Sequence, residues 1–249
     1  MAMLPGLAGT SPAVAKIMPE RCGAGLIFIG VRGTGERPGM GGTVGLVQSF
    51  FNEDKDIPTW SQALTYPATA TSVPDPYYGS VKTGATNLRS LLGTIFRECP
   101  HASINLAGYS QGAHVIGNVL SGSGVSPIAS SDRHHITSVV FFGDPSYRAG
   151  EKYNSSASGR GNGLFARGAG ALASWTRLAY PSATSSKPKQ MPIIRSYCYT
   201  GDRWCQKGLG SNADAIHSSY ASRSTYAAYA FMRAWNIDQT RSGIPVVKE

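Results

Sequence analysis

The chain reads as a doubly wound α/β protein with a mostly parallel sheet, and three observations lead there. Short apolar runs without strict alternation, such as Leu26-Ile27-Phe28-Ile29 and Val139-Val140-Phe141-Phe142, suit strands buried on both faces. Stretches with apolar residues at helical spacing separate these runs. In Ala107-Gly108-Tyr109-Ser110-Gln111-Gly112, a G-x-S-x-G stands where a strand pattern gives way to a helical one. Strands alternating with helices are the signature of a parallel sheet in a layered domain.

Taken in order, residues 1–20 are rich in Ala, Gly and Pro and are expected to run extended along the surface of a single domain, 1–249. Gly25–Val31 is the first strand. It ends in Arg32-Gly33-Thr34-Gly35-Glu36-Arg37-Pro38-Gly39, a loop that must pass close to something. Val44–Phe51 can form a helix, and Trp60–Tyr66 a second strand stopped by Pro67. Thr71–Gly79, carrying Pro74, Pro76, Tyr77 and Tyr78, reads as a loop. From Ser80 to Cys99, Val81, Ala85, Leu88, Leu91, Leu92, Ile95 and Phe96 recur at helical spacing. Ser103–Leu106 alternates as a strand does, and after the serine Val115, Ile116, Val119 and Leu120 share one helical face. Ser121–Ser131 is a Ser/Gly loop and Thr137–Gly143 a further strand. Residues 149–190 are Gly/Ser-rich, with one helix expected around Ala169–Ala179. Ile193–Tyr199 is the last strand, followed by a loop with Asp202, then His217 and a helix over Tyr220–Trp235.

A chain of 249 residues can bury a real core. Charged residues are few at 15%, which suits a compact extracellular enzyme better than a disordered or coiled-coil protein. The formal net charge of +9 suits peripheral contact with an anionic cell wall or lipid surface, but no Lys/Arg cluster is dense enough to suggest nucleic acid. No apolar run reaches the roughly 18 residues of a membrane span. The four cysteines allow two disulfides. We therefore expect a secreted protein whose signal segment is missing from this sequence, acting as a monomer. There is no P-loop, C-x-x-C or H-E-x-x-H, so neither a cofactor nor a metal is expected. Gly168-Ala169-Gly170-Ala171-Leu172-Ala173 matches a dinucleotide fingerprint only in form, since no strand precedes it.

The serine motif carries the chemistry. A strand–turn–helix at G-x-S-x-G is a nucleophile elbow, with Gly108 and Gly112 small because the turn is tight. The helix that follows directs its positive end at any oxyanion formed there. A serine hydroxyl needs a base, and the base needs an orienting acid. In hydrolases built on this elbow the order is serine, acid, histidine. His101 precedes the serine, His114 lies a helical turn too deep, and His134 and His135 look solvated. His217 is the base that remains.

For the acid, Asp202 lies after the last strand in Cys198-Tyr199-Thr200-Gly201-Asp202-Arg203-Trp204-Cys205, where a local disulfide would hold the loop in one shape. Asp144 also follows a strand and is the competing acid, while Asp214 reads as exposed or capping. The backbone N–H of Gln111 and, from the loop after the first strand, the N–H and hydroxyl of Thr34 are the expected oxyanion donors. Tyr77, Tyr78 and Leu209 flank the expected mouth and can contact an acyl chain.

With Gly-Tyr-Ser-Gln-Gly, Val31-Arg32-Gly33-Thr34, Cys-x-x-x-Gly-Asp-x-x-Cys and a late histidine in sequence order, the chain resembles the cutinase family from about Cys22 to its last helix. The resemblance implies a small three-layer α/β-hydrolase with a central five-stranded parallel sheet flanked by helices. It also implies a triad of Ser110, Asp202 and His217, an oxyanion hole of Thr34 and Gln111, and disulfides Cys22–Cys99 and Cys198–Cys205. The activity implied is hydrolysis of carboxylic esters, whether cutin-like polyester, lipid or acylated glycan. Two rivals stand beside it: a phage or bacterial mycolyl-ester hydrolase, and an inactive wall- or lipid-binding protein on the same fold. Residues 149–190 exceed what a minimal cutinase needs and are long enough to cover one side of the site.

Overall fold

The computed structural model describes residues 20–69, 74–179 and 187–237. The segment expected to be extended at 1–20 falls outside the described residues except for Glu20, which begins helix α1 (Glu20–Gly23).

Strand β1 (Leu26–Val31) is buried at all six positions. Successive side chains point to opposite faces, so both faces of this strand are covered. Helix α2 (Gly42–Glu53) leads to β2 (Thr59–Ala63), parallel to β1. Helix α3 (Pro74–Glu98) leads to β3 (Ile104–Tyr109) on the other side of β1, and α4 (Gln111–Ser121) leads toward β4 (Ile136–Phe142). A two-stranded antiparallel ribbon, β5 (Thr176–Ala179) with β6 (Lys189–Pro192), precedes β7 (Ile194–Tyr197). Helices α5 (Ala213–Ser218), α6 (Tyr220–Arg223) and α7 (Thr225–Ile237) follow.

The main sheet has five strands in the order β2-β1-β3-β4-β7, with every neighbouring pair parallel. Helix α2 packs with α7 and against β1 and β3, while α4 packs with α3 and against β1, β3 and β4. Val44, Val47 and Phe51 of α2 and Val115, Ile116 and Val119 of α4 are buried in the same core as the strands. The result is the expected three-layer α/β-hydrolase architecture. Both expected disulfides are present, Cys22–Cys99 tying α1 to the end of α3 and Cys198–Cys205 closing the loop after β7.

Strand order decides where a site can form. From β1 the chain moves one way to β2, and from β3 it moves the other way to β4. Between β1 and β3 the order reverses, leaving a crevice outside their carboxyl ends. Val31 pairs with Gly108, so the loop after β1 and the serine after β3 leave the sheet at the same level.

Four expectations need correction. Tyr77 and Tyr78 lie on α3, not in a loop, because α3 begins at Pro74. Proline is accommodated in the first turn, where no intrahelical N–H bond is lost. The helix expected over Ala169–Ala179 does not form: Gly170 sits at φ +71°, outside the helical region, and the chain turns into β5. There the Trp175 indole donates to the carbonyl of Leu120 (2.9 Å), so tertiary packing overrides the alanine propensity. His135 is buried and stacks on Phe96 (5.0 Å), whereas His134 is exposed as expected. The last helix is two, α6 and α7, broken at Ser224 with φ −139°.

Candidate active site

Ser110 holds φ +53°, ψ −120°, a backbone conformation rare for a side-chain-bearing residue. Strain of this kind persists only where the surroundings impose it. Here the Ser110 N–H donates to Phe142 O (2.8 Å), and the first turn of α4 backs onto the end of β1. A Cβ on Gly112 would lie 2.1 Å from the carbonyl oxygen of Val31, and one on Gly108 would lie 2.7 Å from that of Gly112. The two glycines of the motif are therefore required by close approach. Gln111 opens α4, where its N–H has no intrahelical acceptor. Its side chain is anchored, with Oε1 accepting from Ser80 Oγ (2.8 Å) and Nε2 donating to Thr69 O (3.3 Å).

His217 in α5 brings Nε2 to 2.9 Å from Ser110 Oγ and Nδ1 to 2.8 Å from Asp202 Oδ2. Asp202 is fully buried after β7. Its Oδ1 accepts the N–H groups of Trp204 (2.7 Å) and Cys205 (2.9 Å), and its Oδ2 also accepts the Tyr220 hydroxyl (2.8 Å). Burial alone would raise this carboxyl. The hydrogen bond and charge of His217, with the Cys205 and Tyr220 bonds, outweigh burial and hold it below the ordinary carboxylate value. An ionised carboxylate only accepts, so Nδ1 of His217 carries a proton toward it and Nε2 faces the serine as an acceptor. The imidazole is also gripped from the sides. It stacks on Tyr109 (5.2 Å), whose hydroxyl donates to His217 O (2.9 Å). A Cβ on Gly143 would come within 2.9 Å of its Cε1. This arrangement can draw the proton from the Ser110 hydroxyl.

The competing acid faces elsewhere. Asp144 is buried, and its Oδ2 pairs with Arg167 Nη1 (2.6 Å) while Oδ1 accepts the Ser146 N–H (2.8 Å). Asp214 is exposed and forks onto Arg203 (2.6 and 2.9 Å). Thr34 sits in the loop beyond β1, between residues whose N–H groups are tied down: Gly33 to the Glu36 carboxylate and Gly35 to Ala68 O. Tyr77 and Tyr78 meet at 5.7 Å, and the Tyr77 hydroxyl lies 3.2 Å from His114 Nδ1. Leu209 projects into solvent, 91% exposed.

Two residues near the site, Phe165 and Leu164, carried no usable sequence signal, and a third, Trp204, was visible only as part of the Asp202 loop. Phe165 packs on Tyr77 (5.2 Å), Tyr78 (5.1 Å) and His114 (5.8 Å). Its neighbour Leu164 donates its N–H to Trp204 O (2.9 Å), and the Trp204 ring lies 6.4 Å from His217. This part of the 149–190 segment thus runs from the imidazole side of the site to the aromatic rings at the start of α3.

Burial pushes His114 down from 6.5 to about 4, against the pull of Asp144 and with the help of Arg167. The unfolded chain therefore takes up a proton near pH 6.5 that the native protein refuses until about pH 4. Stability should fall as pH drops through that window, by up to about 3 kcal/mol. Denaturant melts at the two ends of the window test this: His114→Phe should lose less stability across it than the native chain.

The cutinase family model matches residues 22–235. Acetylxylan esterase 2 of Talaromyces purpureogenus is 28% identical over 245 residues, covering 94% of this chain and 96% of that protein. Cutinase 11 of Verticillium dahliae is 29% identical over 234 residues, covering 89% of this chain and 72% of its own. The solved catalytic core of the Trichoderma reesei acetylxylan esterase superposes with a TM-score of 0.66 at 25% identity, covering 85% of this chain and 98% of the other.

Proposed function

The chain belongs to the cutinase family of carboxylic ester hydrolases, and on that premise we propose that it works through an acyl-enzyme formed on Ser110. His217 Nε2 takes the hydroxyl proton as Ser110 Oγ attacks the ester carbonyl, and Asp202 keeps the imidazole in the tautomer this requires. The oxyanion is met by the N–H of Gln111 and by Thr34. As the tetrahedral intermediate collapses, His217 returns the proton to the leaving alkoxide. Water then repeats the sequence on the acyl-enzyme, releasing the acid and restoring Ser110. The observation that carries this reading is the unbroken line of two bonds, 2.9 and 2.8 Å, from Ser110 through His217 to Asp202.

For substrates we propose esters whose acyl or alcohol group lies along Tyr77, Tyr78 and Phe165, with Leu209 at the rim. An acylated glycan or a short-chain ester is favoured by the full-length likeness to an acetylxylan esterase. Two disulfides and the family support an extracellular location, and the basic charge supports docking of a single-domain monomer on a wall or lipid surface. A p-nitrophenyl ester chain-length series, run beside acetylated xylan, cutin and mycolate esters, tests the proposal. Turnover should be highest with short acyl chains and acetylated xylan. A preference for mycolate or for long chains would move the protein to the envelope-lipid reading.

The described part of 149–190 is bound to the body of the protein. Gly159 N–H donates to Cys198 O (2.7 Å), Gly163 N–H to Tyr147 O (2.9 Å) and Phe165 N–H to Pro145 O (2.8 Å). A segment tied at these points acts as a wall and not as a lid. Hydrolysis of tributyrin should therefore saturate smoothly across its solubility limit. A sharp rise at that limit, lost on trimming the segment, would show a lid.

A further inference from the structure

The loop after β1 is held from two sides. Buried Arg32 donates through Nε to Glu36 O (3.0 Å) and through Nη2 to Tyr66 O (2.7 Å), and the Tyr66 hydroxyl donates back to Arg32 O (2.7 Å). Gly35 N–H donates to Ala68 O (2.9 Å). Inside this frame the Glu36 carboxylate turns back on the loop. Its Oε2 accepts the N–H of Gly33 (2.6 Å), and its Oε1 accepts the N–H of Gly42 at the start of α2 (2.7 Å). The surrounding residues are small to admit it. A Cβ on Gly41 would lie 2.2 Å from Oε2, and one on Gly33 would lie 3.3 Å from Oε2 and 2.7 Å from the Tyr109 ring.

We propose that Glu36 is a positioning residue for the oxyanion loop. It ties the peptide N-terminal to Thr34 to the first turn of α2, while Ala68 ties the peptide C-terminal to it. The Thr34 N–H and hydroxyl are then held toward the crevice above Ser110. The proposal rests on the reading of Thr34 as an oxyanion donor. The simpler alternative is that Glu36 only caps α2, whose N-cap Gly41 offers no side-chain bond. A cap alone needs the bond to Gly42. The bond to Gly33 reaches across the loop, and it is this bond that bears on catalysis.

Glu36→Gln keeps the volume but turns one acceptor oxygen into a donor, so one of the two bridges is lost. The variant should lower kcat for p-nitrophenyl butyrate about 10- to 100-fold, with KM within about twofold. The decisive readout is the matched thionoester, in which sulfur replaces the carbonyl oxygen. Sulfur is a poor hydrogen-bond acceptor, so an intact oxyanion hole discriminates against it. In Glu36→Gln the oxo-to-thiono rate ratio should fall by nearly the same factor as kcat. Glu36→Asp, one methylene short, should give an intermediate ratio and carries the same test if the glutamine variant does not fold. Glu36→Ala, which leaves no acceptor for either N–H, closes the test: an unchanged ratio there overturns the proposal, whether both rates fall together or only the melting temperature drops. A native protein without oxo-ester turnover would defeat the Ser110 reading itself and this proposal with it. A native protein that discriminates, beside a Glu36→Ala variant that discriminates equally, would defeat only the role of Glu36.

Discussion

Ser110→Ala should lower ester turnover by about four to six orders of magnitude while leaving the fold intact. Among the described residues the only side-chain bond of Ser110 is to His217 Nε2, and the tight turn is held by Gly108, Gly112 and the bond from its own N–H to Phe142 O. Removing the hydroxyl therefore removes the nucleophile and little else. His217→Ala should have an effect of similar size, and the double variant should be little worse than either one, because the two act as a unit. A Ser110→Ala protein keeping more than about a tenth of the native rate would place the nucleophile elsewhere.

The second large effect separates the two aspartates. Asp202→Asn keeps the shape of the side chain but not its charge, and the amide no longer fixes a proton on His217 Nδ1. We expect a loss of about 10⁴ in kcat, with little change in KM. Asp144→Asn should leave catalysis nearly untouched and instead lower stability. Asp144 is the buried partner of Arg167, whose side chain is only 8% exposed. Removing that charge leaves a guanidinium unpaired in the interior, at a cost of about 3 kcal/mol or more. Steady-state rates and melting curves on the pair check both halves. Activity lost with Asp144→Asn and kept with Asp202→Asn would exchange the two roles.

These two aspartates also mark how far the sequence could be read. Both follow a strand, and chain order admits either one, so local pattern could only rank them. What separates them is Arg167, which lies 23 residues beyond Asp144 in a segment with no periodicity. The elbow was legible because its demands are local: a strand, a tight turn and a helix are all written into adjacent residues. That the sheet is parallel and doubly wound followed from alternating strands and helices, whereas its strand order came only with the fold. The start of α3 was hidden because Pro74 and Pro76 mark loops and first helical turns alike. Alanines at 169–173 spoke for a helix, but Gly170 and the seating of Trp175 decided for turns. Phe165 and Leu164 could not be foreseen beside the site, since only the folded path of 149–190 brings them there, while Trp204 was visible in the Asp202 loop but its approach to the His217 ring was not. The acidic residue of Arg-Gly-Thr-Gly-Glu was visible, but its reach back to Gly33 and forward to Gly42 was not.

The activated serine is best tested by labelling with a fluorophosphonate and mapping the adduct by mass spectrometry. A fluorophosphonate reacts only with a nucleophile whose proton has somewhere to go. The native protein should carry one adduct, on Ser110, formed in step with loss of esterase activity. His217→Ala should label far more slowly at the same site. An adduct on another residue, or full esterase activity in a protein whose Ser110 is labelled to completion, would contradict a mechanism built on Ser110, His217 and Asp202.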